Sequence, residues 1–147
     1  MNNKFKVIAI EKKVTTSEEA IKVCGATLEE AGLVDTEFVN ACLTREKEFP
    51  TGIASIKPVA IPHCKHDGIK QNSICLLRTE TPVEFYRMED PEETVKVNLI
   101  FNLAIKDSKE HLEVLQQLIQ LISNEAMVEE LMAVKEENLS QKLELYL

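Results

Sequence analysis

The sequence predicts a mixed α/β fold in which helices cover both faces of a β-sheet. Segments with helical apolar spacing lie on either side of a central group of strand-like segments, in residues 16–45 and 107–147. The last strand-like segment, 95–105, turns from alternation into a nearly continuous apolar run, as a central strand does. The strand-like segments between the helical regions follow one another closely enough to form hairpins. This order of elements predicts a mixed sheet between two helical layers.

The first half of the chain contains one predicted strand and two predicted helices. The strand covers residues 5–10. The first helix begins at Thr16-Ser17-Glu18-Glu19, a capping box with Thr16 as the N-cap and Glu19 reaching back, and it ends at Gly32. Asp35 is predicted to cap the second helix, whose last turn contains Arg45.

The second half contains the remaining strands and helices. A second capping box, Asp107-Ser108-Lys109-Glu110, opens a helix with a strong apolar stripe. Asn124 begins the next helix. The predicted strands are 59–61, 73–78, 83–86 and 95–105, and the predicted helices after them start at 108, 124 and 139.

Length and composition limit the class of protein. A chain of 147 residues suggests one domain with a real core. A net charge of −8 argues against unaided binding to nucleic acid or to an anionic membrane. We expect no membrane insertion, because no apolar run approaches the roughly 20 residues that span a bilayer. We expect no leader peptide in residues 1–10, because Lys4 and Lys6 are charged and no long apolar stretch follows. Four cysteines without C-x-x-C spacing indicate reduced thiols in a cytoplasmic protein.

The segment that ends at His63 is the first candidate for chemistry. Ile61 precedes a proline and is therefore biased towards extended geometry. Pro62 has no N–H, so a central strand should stop there and present His63 at its carboxyl end. From the spacing alone, a loop histidine bonded to the backbone is the favoured interpretation, and a nucleophile is the alternative.

Four further residues have both a structural and a functional interpretation. Arg45 is either a solvated charge at a helix end or a guanidinium fork for phosphoryl oxygens. Thr51 and Gly52 are predicted to form a turn whose hydroxyl and N–H groups can face an anion. His111, in the first turn of its helix, should be neutral and near a natural anion site, although a core histidine is the alternative.

The stretch His63-Cys64-x-His66-Asp67 could suggest metal ligands or a thiol–imidazole hydrolase. A short His-x-x-His spacing in a loop is a weak metal signal, so we predict no metal site and a solvent-facing His66. Neighbours at a strand end point apart, so we expect Cys64 to be buried.

The pattern Arg45-x-x-x-Phe49-Pro50-Thr51-Gly52-Ile53, followed by Ala60-Ile61-Pro62-His63, resembles the signature of enzyme IIA domains of the bacterial sugar phosphotransferase system, in the fructose–mannitol superfamily. Phe49-Pro50, Cys64 and Ile74-Cys75-Leu76-Leu77-Arg78 are most similar to the galactitol-type branch. The resemblance covers nearly the whole chain. It implies one enzyme IIA domain over 1–147, folded as an α/β protein: a three-layer α/β/α sandwich with a small mixed β-sheet.

The resemblance also implies a function. His63 would accept a phosphoryl group from the phosphocarrier HPr and pass it to a cysteine of enzyme IIB, for galactitol or a related sugar. Arg45 and His111 would assist catalysis, and Thr51 and Gly52 would bind phosphate. Mannitol-type domains have a second histidine at the position of His111, whereas the galactitol-type branch does not require one.

The implied setting is cytoplasmic, without a cofactor or a metal, and contact with the membrane component enzyme IIC would pass through IIB. The first alternative is a regulatory, nitrogen-type enzyme IIA that acts by phosphorylation-dependent protein binding. A non-catalytic binding module and a metal- or thiol-dependent hydrolase are the remaining alternatives.

Overall fold

The computed structural model describes residues 5–147. The leader prediction for residues 1–10 falls partly on residues 1–4, outside this range. Along the described chain the elements are β1 (Lys6–Lys12), α1 (Ser17–Glu30), α2 (Phe38–Glu48), β2 (Gly52–Ile53), β3 (Val59–Ala60), β4 (Ser73–Tyr86), β5 (Thr94–Ala104), α3 (Ser108–Ile122), α4 (Glu125–Ala133) and α5 (Glu136–Tyr146).

The five strands form one mixed sheet in the order β1-β4-β5-β3-β2. β1 runs parallel to β4, and β3 runs parallel to β5. The β4–β5 and β2–β3 pairs are antiparallel. β5 therefore lies at the centre of the sheet, as its continuous apolar run predicts. β3 lies next to β5, and the chain that leaves β3 leads to His63.

Helices cover both faces of this sheet, which confirms the predicted three-layer sandwich. Successive residues of β4 point to opposite faces. Cys75 and Leu77 pack into the cluster that contains the apolar residues of α1 and α2. Ile74 and Leu76 pack into the cluster that contains those of α3, α4 and α5.

One strand prediction and one turn prediction need correction. The segments 73–78 and 83–86 belong to a single strand, β4, with a register shift between Arg78 and Val83. Pro82 lacks an N–H and interrupts the ladder, but the chain stays extended because β5 pairs with both halves. Gly52 does not form a turn with Thr51 but begins β2, which pairs with β3.

The N-caps at Thr16 and Asp107 are confirmed, but the reciprocal half of each capping box is not formed. The Thr16 hydroxyl accepts from Glu19 N–H at 3.0 Å, whereas the Glu19 carboxylate accepts from Thr15 N–H at 2.7 Å. Asp107 likewise caps α3, while the Glu110 carboxylate accepts from the Asn72 side chain at 3.0 Å. No helix among residues 5–147 is both long and apolar enough to cross a bilayer.

Candidate functional site

His63 lies just beyond the carboxyl end of β3, where the sequence predicts it. Its Nδ1 is 2.7 Å from the Ile61 carbonyl oxygen. A carbonyl oxygen only accepts hydrogen bonds, so Nδ1 carries the proton and Nε2 of the neutral ring keeps its lone pair. Burial lowers the pKa of His63, and the charge of Arg45 adds to this effect against the opposing bond to Ile61. The site therefore holds an uncharged imidazole with Nε2 available as a nucleophile.

His111, in the first turn of α3, lies against His63. The two ring centroids are 4.7 Å apart and the rings are nearly perpendicular, at 86°. Burial lowers the pKa of His111 to about 4, with further contributions from His63, Arg45 and Lys65. The predicted neutral ring is present, although its main cause is burial and not the predicted effect of the helix dipole. Nε2 of His111 is buried and has no hydrogen-bond partner within residues 5–147.

Arg45 lies in the last turn of α2, as predicted. Its side chain is exposed, and its guanidinium carbon is 4.4 Å from the centroid of the Phe49 ring. Stacking on an aromatic face holds a guanidinium in place without consuming its five N–H donors. Arg45 therefore brings an oriented positive charge to the cleft that contains His63.

Two clefts meet at the side chains of Arg45 and His63. One, of about 610 Å³, is lined by residues that include Arg45, His63 and His111. The other, of about 330 Å³, is lined by residues that include Arg45, Thr51 and His63. The three predicted catalytic residues thus share one cavity, and His63 can be approached from two sides.

Thr51 and Gly52 lie beside this site in roles that the sequence did not predict. Thr51 is buried, and its hydroxyl and N–H donate to Oε1 and Oε2 of Glu46 at 2.8 and 2.9 Å. A side chain at Gly52 would place Cβ 2.6 Å from the Tyr86 carbonyl oxygen, so this position requires glycine for space. Both donors of Thr51 are engaged by Glu46, a residue that the sequence analysis missed.

The prediction that His66 faces solvent is wrong. Its Nε2 is 2.7 Å from Oδ1 of Asp35, and its side chain is 19% exposed. Asp35 in turn is not the N-cap of α2; that position is Glu37, whose N–H donates to Asp35 at 3.1 Å. The bond to His66 lowers the pKa of the Asp35 carboxyl. Asp35 thus connects the loop after His63 to the turn before α2, a contact between residues distant in sequence.

Cys64 is buried, as predicted, and its Sγ is 3.3 Å from Sγ of Cys42 in α2. The hydrogen bond with Cys42 lowers the pKa of Cys64, whereas the same contact and burial raise that of Cys42. All four cysteines are free thiols. Residues 5–147 contain no group of three or more His, Cys, Asp or Glu side chains that could hold a metal ion.

Comparison with known proteins relates this arrangement to one family. The family model described as "Phosphoenolpyruvate-dependent sugar phosphotransferase system, EIIA 2" matches residues 2–144. The galactitol-specific EIIA component of Escherichia coli is 32% identical over 111 residues, which cover 75% of this chain and 73% of the relative.

Solved structures agree with this relationship. The nitrogen regulatory protein IIA-Ntr of Neisseria meningitidis is 31% identical, with a TM-score of 0.75 over 92% of each chain. The mannitol IIA protein of Escherichia coli is 27% identical, with a TM-score of 0.75 over 97% of this chain and 96% of that one. The IIA chain in a complex of mannitol IIA with phosphorylated mannitol IIB, also from Escherichia coli, has the same fold. It is 23% identical, with a TM-score of 0.71 over 99% of this chain and 95% of that one.

The components of this family are phosphotransferases that carry a phosphohistidine. A histidine with a free Nε2, a neighbouring arginine and an open cleft is the arrangement that such chemistry needs. The chain therefore belongs to the EIIA 2 family of the phosphoenolpyruvate-dependent sugar phosphotransferase system.

Proposed function

We propose that the protein accepts a phosphoryl group from phospho-HPr on Nε2 of His63 and passes it to a cysteine of an enzyme IIB. The observation that carries this proposal is the bond from His63 Nδ1 to Ile61, which leaves Nε2 unprotonated beside Arg45 and His111. Family membership supports the general role, that of a phosphocarrier in a sugar phosphotransferase system.

The proposed step is an in-line displacement. Nε2 of His63 forms a P–N bond with its lone pair while the bond between phosphorus and the donor's nitrogen breaks. The proton on Nδ1 stays in its bond to the Ile61 carbonyl, so no proton has to leave the acceptor ring. Transfer of this kind depends on position and on charge stabilisation.

The neighbouring side chains supply that stabilisation in the proposal. Arg45 would bind two phosphoryl oxygens with its planar guanidinium. His111 would donate a hydrogen bond to a third oxygen from the ring nitrogen that now lacks a partner. We keep Thr51 and Gly52 in the proposed phosphate site, but as residues that shape it and not as hydrogen-bond donors to phosphate in the resting protein. Thr51 lines the smaller cleft, but its own donors reach phosphate only if they leave Glu46.

For the sugar system, we propose galactitol or a related sugar. The galactitol-specific relative, the Phe49-Pro50 pair and Cys64 support this choice. The mannitol IIA chain bound to phosphorylated IIB supports an enzyme IIB as the partner. We propose that all 147 residues act as one domain in the cytoplasm and meet membrane enzyme IIC through IIB.

Incubation with phosphoenolpyruvate, enzyme I and HPr, followed by mass spectrometry of the acceptor residue, tests the proposal. One acid-labile phosphate should appear on His63 and be absent from His63→Ala. His66→Gln is the matched control, because it changes a histidine three residues away, and it should still be labelled. Phosphate on His66 or His111 of the wild-type protein would refute the assignment.

The likeness to a nitrogen regulatory IIA protein favours one alternative, a regulatory phosphorelay protein. Enzyme IIB separates the two functions. A transport component should lose its phosphate within seconds when a galactitol-type IIB is added, and more slowly with a mannitol-type IIB. A protein that keeps its phosphate with every sugar-specific IIB would act by regulated binding.

A further inference from the structure

We infer that Glu46 is a positioning residue: through three consecutive hydrogen-bonded links it fixes the tautomer and the orientation of the His63 ring. The kinetic consequence rests on the phosphotransfer proposed above. The structural consequence does not, because it concerns the resting protein.

The first link joins Glu46 to Thr51. The two oxygens of the Glu46 carboxylate accept from the hydroxyl and the N–H of Thr51, at 2.8 and 2.9 Å. Thr51 is 1% exposed, so water does not replace these bonds. They fix the backbone where the chain passes from α2 into β2.

The second and third links run from Thr51 to the His63 ring. The Thr51 carbonyl accepts from Ile61 N–H at 3.2 Å, and the Ile61 carbonyl accepts from His63 Nδ1–H at 2.7 Å. Ile61 is buried and precedes Pro62, whose carbonyl accepts from Leu103 N–H at 2.9 Å. The orientation of the Ile61 carbonyl therefore depends on Thr51 on one side and on β5 on the other.

The placement of Glu46 indicates that its carboxylate has a specific task. A negative charge in the last turn of a helix interacts unfavourably with the helix dipole. Burial also raises the pKa of Glu46, which the two bonds from Thr51 oppose. Each carboxylate oxygen accepts a hydrogen bond from Thr51, so Thr51 is the residue through which Glu46 acts on the site.

Histidine side-chain ¹⁵N NMR on the intact, unphosphorylated protein tests the inference directly, since it separates the Nδ1–H and Nε2–H tautomers. Glu46→Ala removes both bonds, and Thr51→Val removes only the hydroxyl. Glu46→Gln and Thr51→Ser are conservative variants, because an amide and a serine can restore both contacts. Glu19→Ala is the matched control: the Glu19 carboxylate also accepts from the N–H and the hydroxyl of a threonine, Thr15, at 2.7 and 3.3 Å, at the start of α1.

We expect the wild type, Glu46→Gln, Thr51→Ser and Glu19→Ala to show His63 protonated on Nδ1. Glu46→Ala and Thr51→Val should show a mixture of tautomers, with the resonances of His66 unchanged. Phosphorylation of His63 by phospho-HPr should slow by about 10- to 100-fold in Glu46→Ala, because small misplacements of a reacting group have effects of this size.

A wild-type tautomer in both Glu46→Ala and Thr51→Val would overturn the inference, as would a rate loss no larger than that of Glu19→Ala at equal loss of melting temperature. If Glu46→Ala does not fold, Thr51→Val decides the question. If phospho-HPr phosphorylates neither the wild type nor any variant, the proposed function fails. The tautomer result still decides the role of Glu46 in that case.

Discussion

The edge of one imidazole ring meets the face of the other at His63 and His111, with the ring centroids 4.7 Å apart. Both rings have lowered pKa values, mainly through burial, and each lies near the charge of Arg45. Two charged rings at this distance would repel each other and Arg45. The pair is therefore neutral at pH 7, which leaves the Nε2 lone pair of His63 free and makes Arg45 a positive charge that lies near both rings.

Arg45→Lys should reduce the rate of phosphoryl transfer much more than the stability of the fold. A point charge replaces a planar fork, so two-oxygen contact with phosphate is lost, and we expect a rate loss of about 10- to 100-fold. The side chain is exposed, so the free energy of unfolding should change by less than about 0.5 kcal/mol. Rapid-quench transfer from phospho-HPr and a urea titration measure the two effects. Lys47→Arg, in the same helix turn, is the control, and a wild-type rate for Arg45→Lys would remove Arg45 from the site.

His111→Gln should slow phosphorylation without preventing it, because an amide can still donate one hydrogen bond to a phosphoryl oxygen. His111→Ala should be slower still, by about tenfold relative to His111→Gln, the effect of one hydrogen bond to a charged group. Both variants should reach the final phosphate stoichiometry of the wild type. Time courses of acid-labile phosphate measure rate and endpoint together. Equal rates for alanine, glutamine and histidine at this position would show that His111 only packs.

The stability of the protein should fall with decreasing pH between about 6.5 and 4, in part through His111. Its pKa is about 4 in the folded protein, below the usual value of 6.5, so the unfolded chain binds more protons in this window. Unfolding is therefore favoured as the pH falls, and the contribution of His111 is fully present above pH 6.5. Because the ring is only half-buried, we expect a contribution of about 1–2 kcal/mol.

Urea titrations of the wild type and His111→Gln at pH 7.0, 5.5 and 4.5 measure this contribution as the difference between their pH slopes. The comparison cancels the carboxylates, which titrate in both proteins, and it includes the coupling of His111 to the neighbouring His63 ring. Parallel slopes for the two proteins would contradict the prediction.

Arg78→Met should destabilise the fold without affecting the site. Arg78 is 5% exposed; its Nη1 donates to the carbonyls of Leu131 and Val134 at 2.9 and 2.6 Å, and its Nε donates to Glu11 at 3.1 Å. Methionine leaves the end of α4 without these bonds and Glu11 without its partner, at a cost of about 3 kcal/mol. Lys22→Met, which breaks an exposed pair with Glu18, should cost less than about 0.5 kcal/mol. Equal urea midpoints for the two variants would refute the role of Arg78.

Several features of the fold and site could be predicted from neighbouring residues. The N-caps at Thr16 and Asp107 depend on side chains within one helical turn. The end of β3 before His63 depends on Pro62, whose missing N–H acts locally. The depression of the His111 pKa was predicted in direction but assigned to the wrong cause, since burial depends on what packs over the ring.

Other contacts join parts of the chain whose proximity no local pattern encodes. His66 meets Asp35 across 31 positions, and Cys64 meets Cys42 across 22. Glu46 and Thr51 are only five positions apart, yet their bonds form because the chain reverses between α2 and β2. These contacts explain why the His66 ring is bonded to Asp35 and does not face solvent, and why Cys64 is buried. They also explain why the N–H and hydroxyl of Thr51 are not available to a ligand.

The sequence by itself determined the classes of element, the sheet between two helical layers, and the motif that brings Arg45 and His63 into one site. Periodicity, capping residues and prolines act through neighbours along the chain, so they can be interpreted without coordinates. The tertiary structure decided the tautomer of His63, the contact between His63 and His111, and the hydrogen bonds from Thr51 to the Glu46 carboxylate. These features depend on distances of a few ångströms between separate elements, and the packing of α2, α3 and the sheet sets those distances.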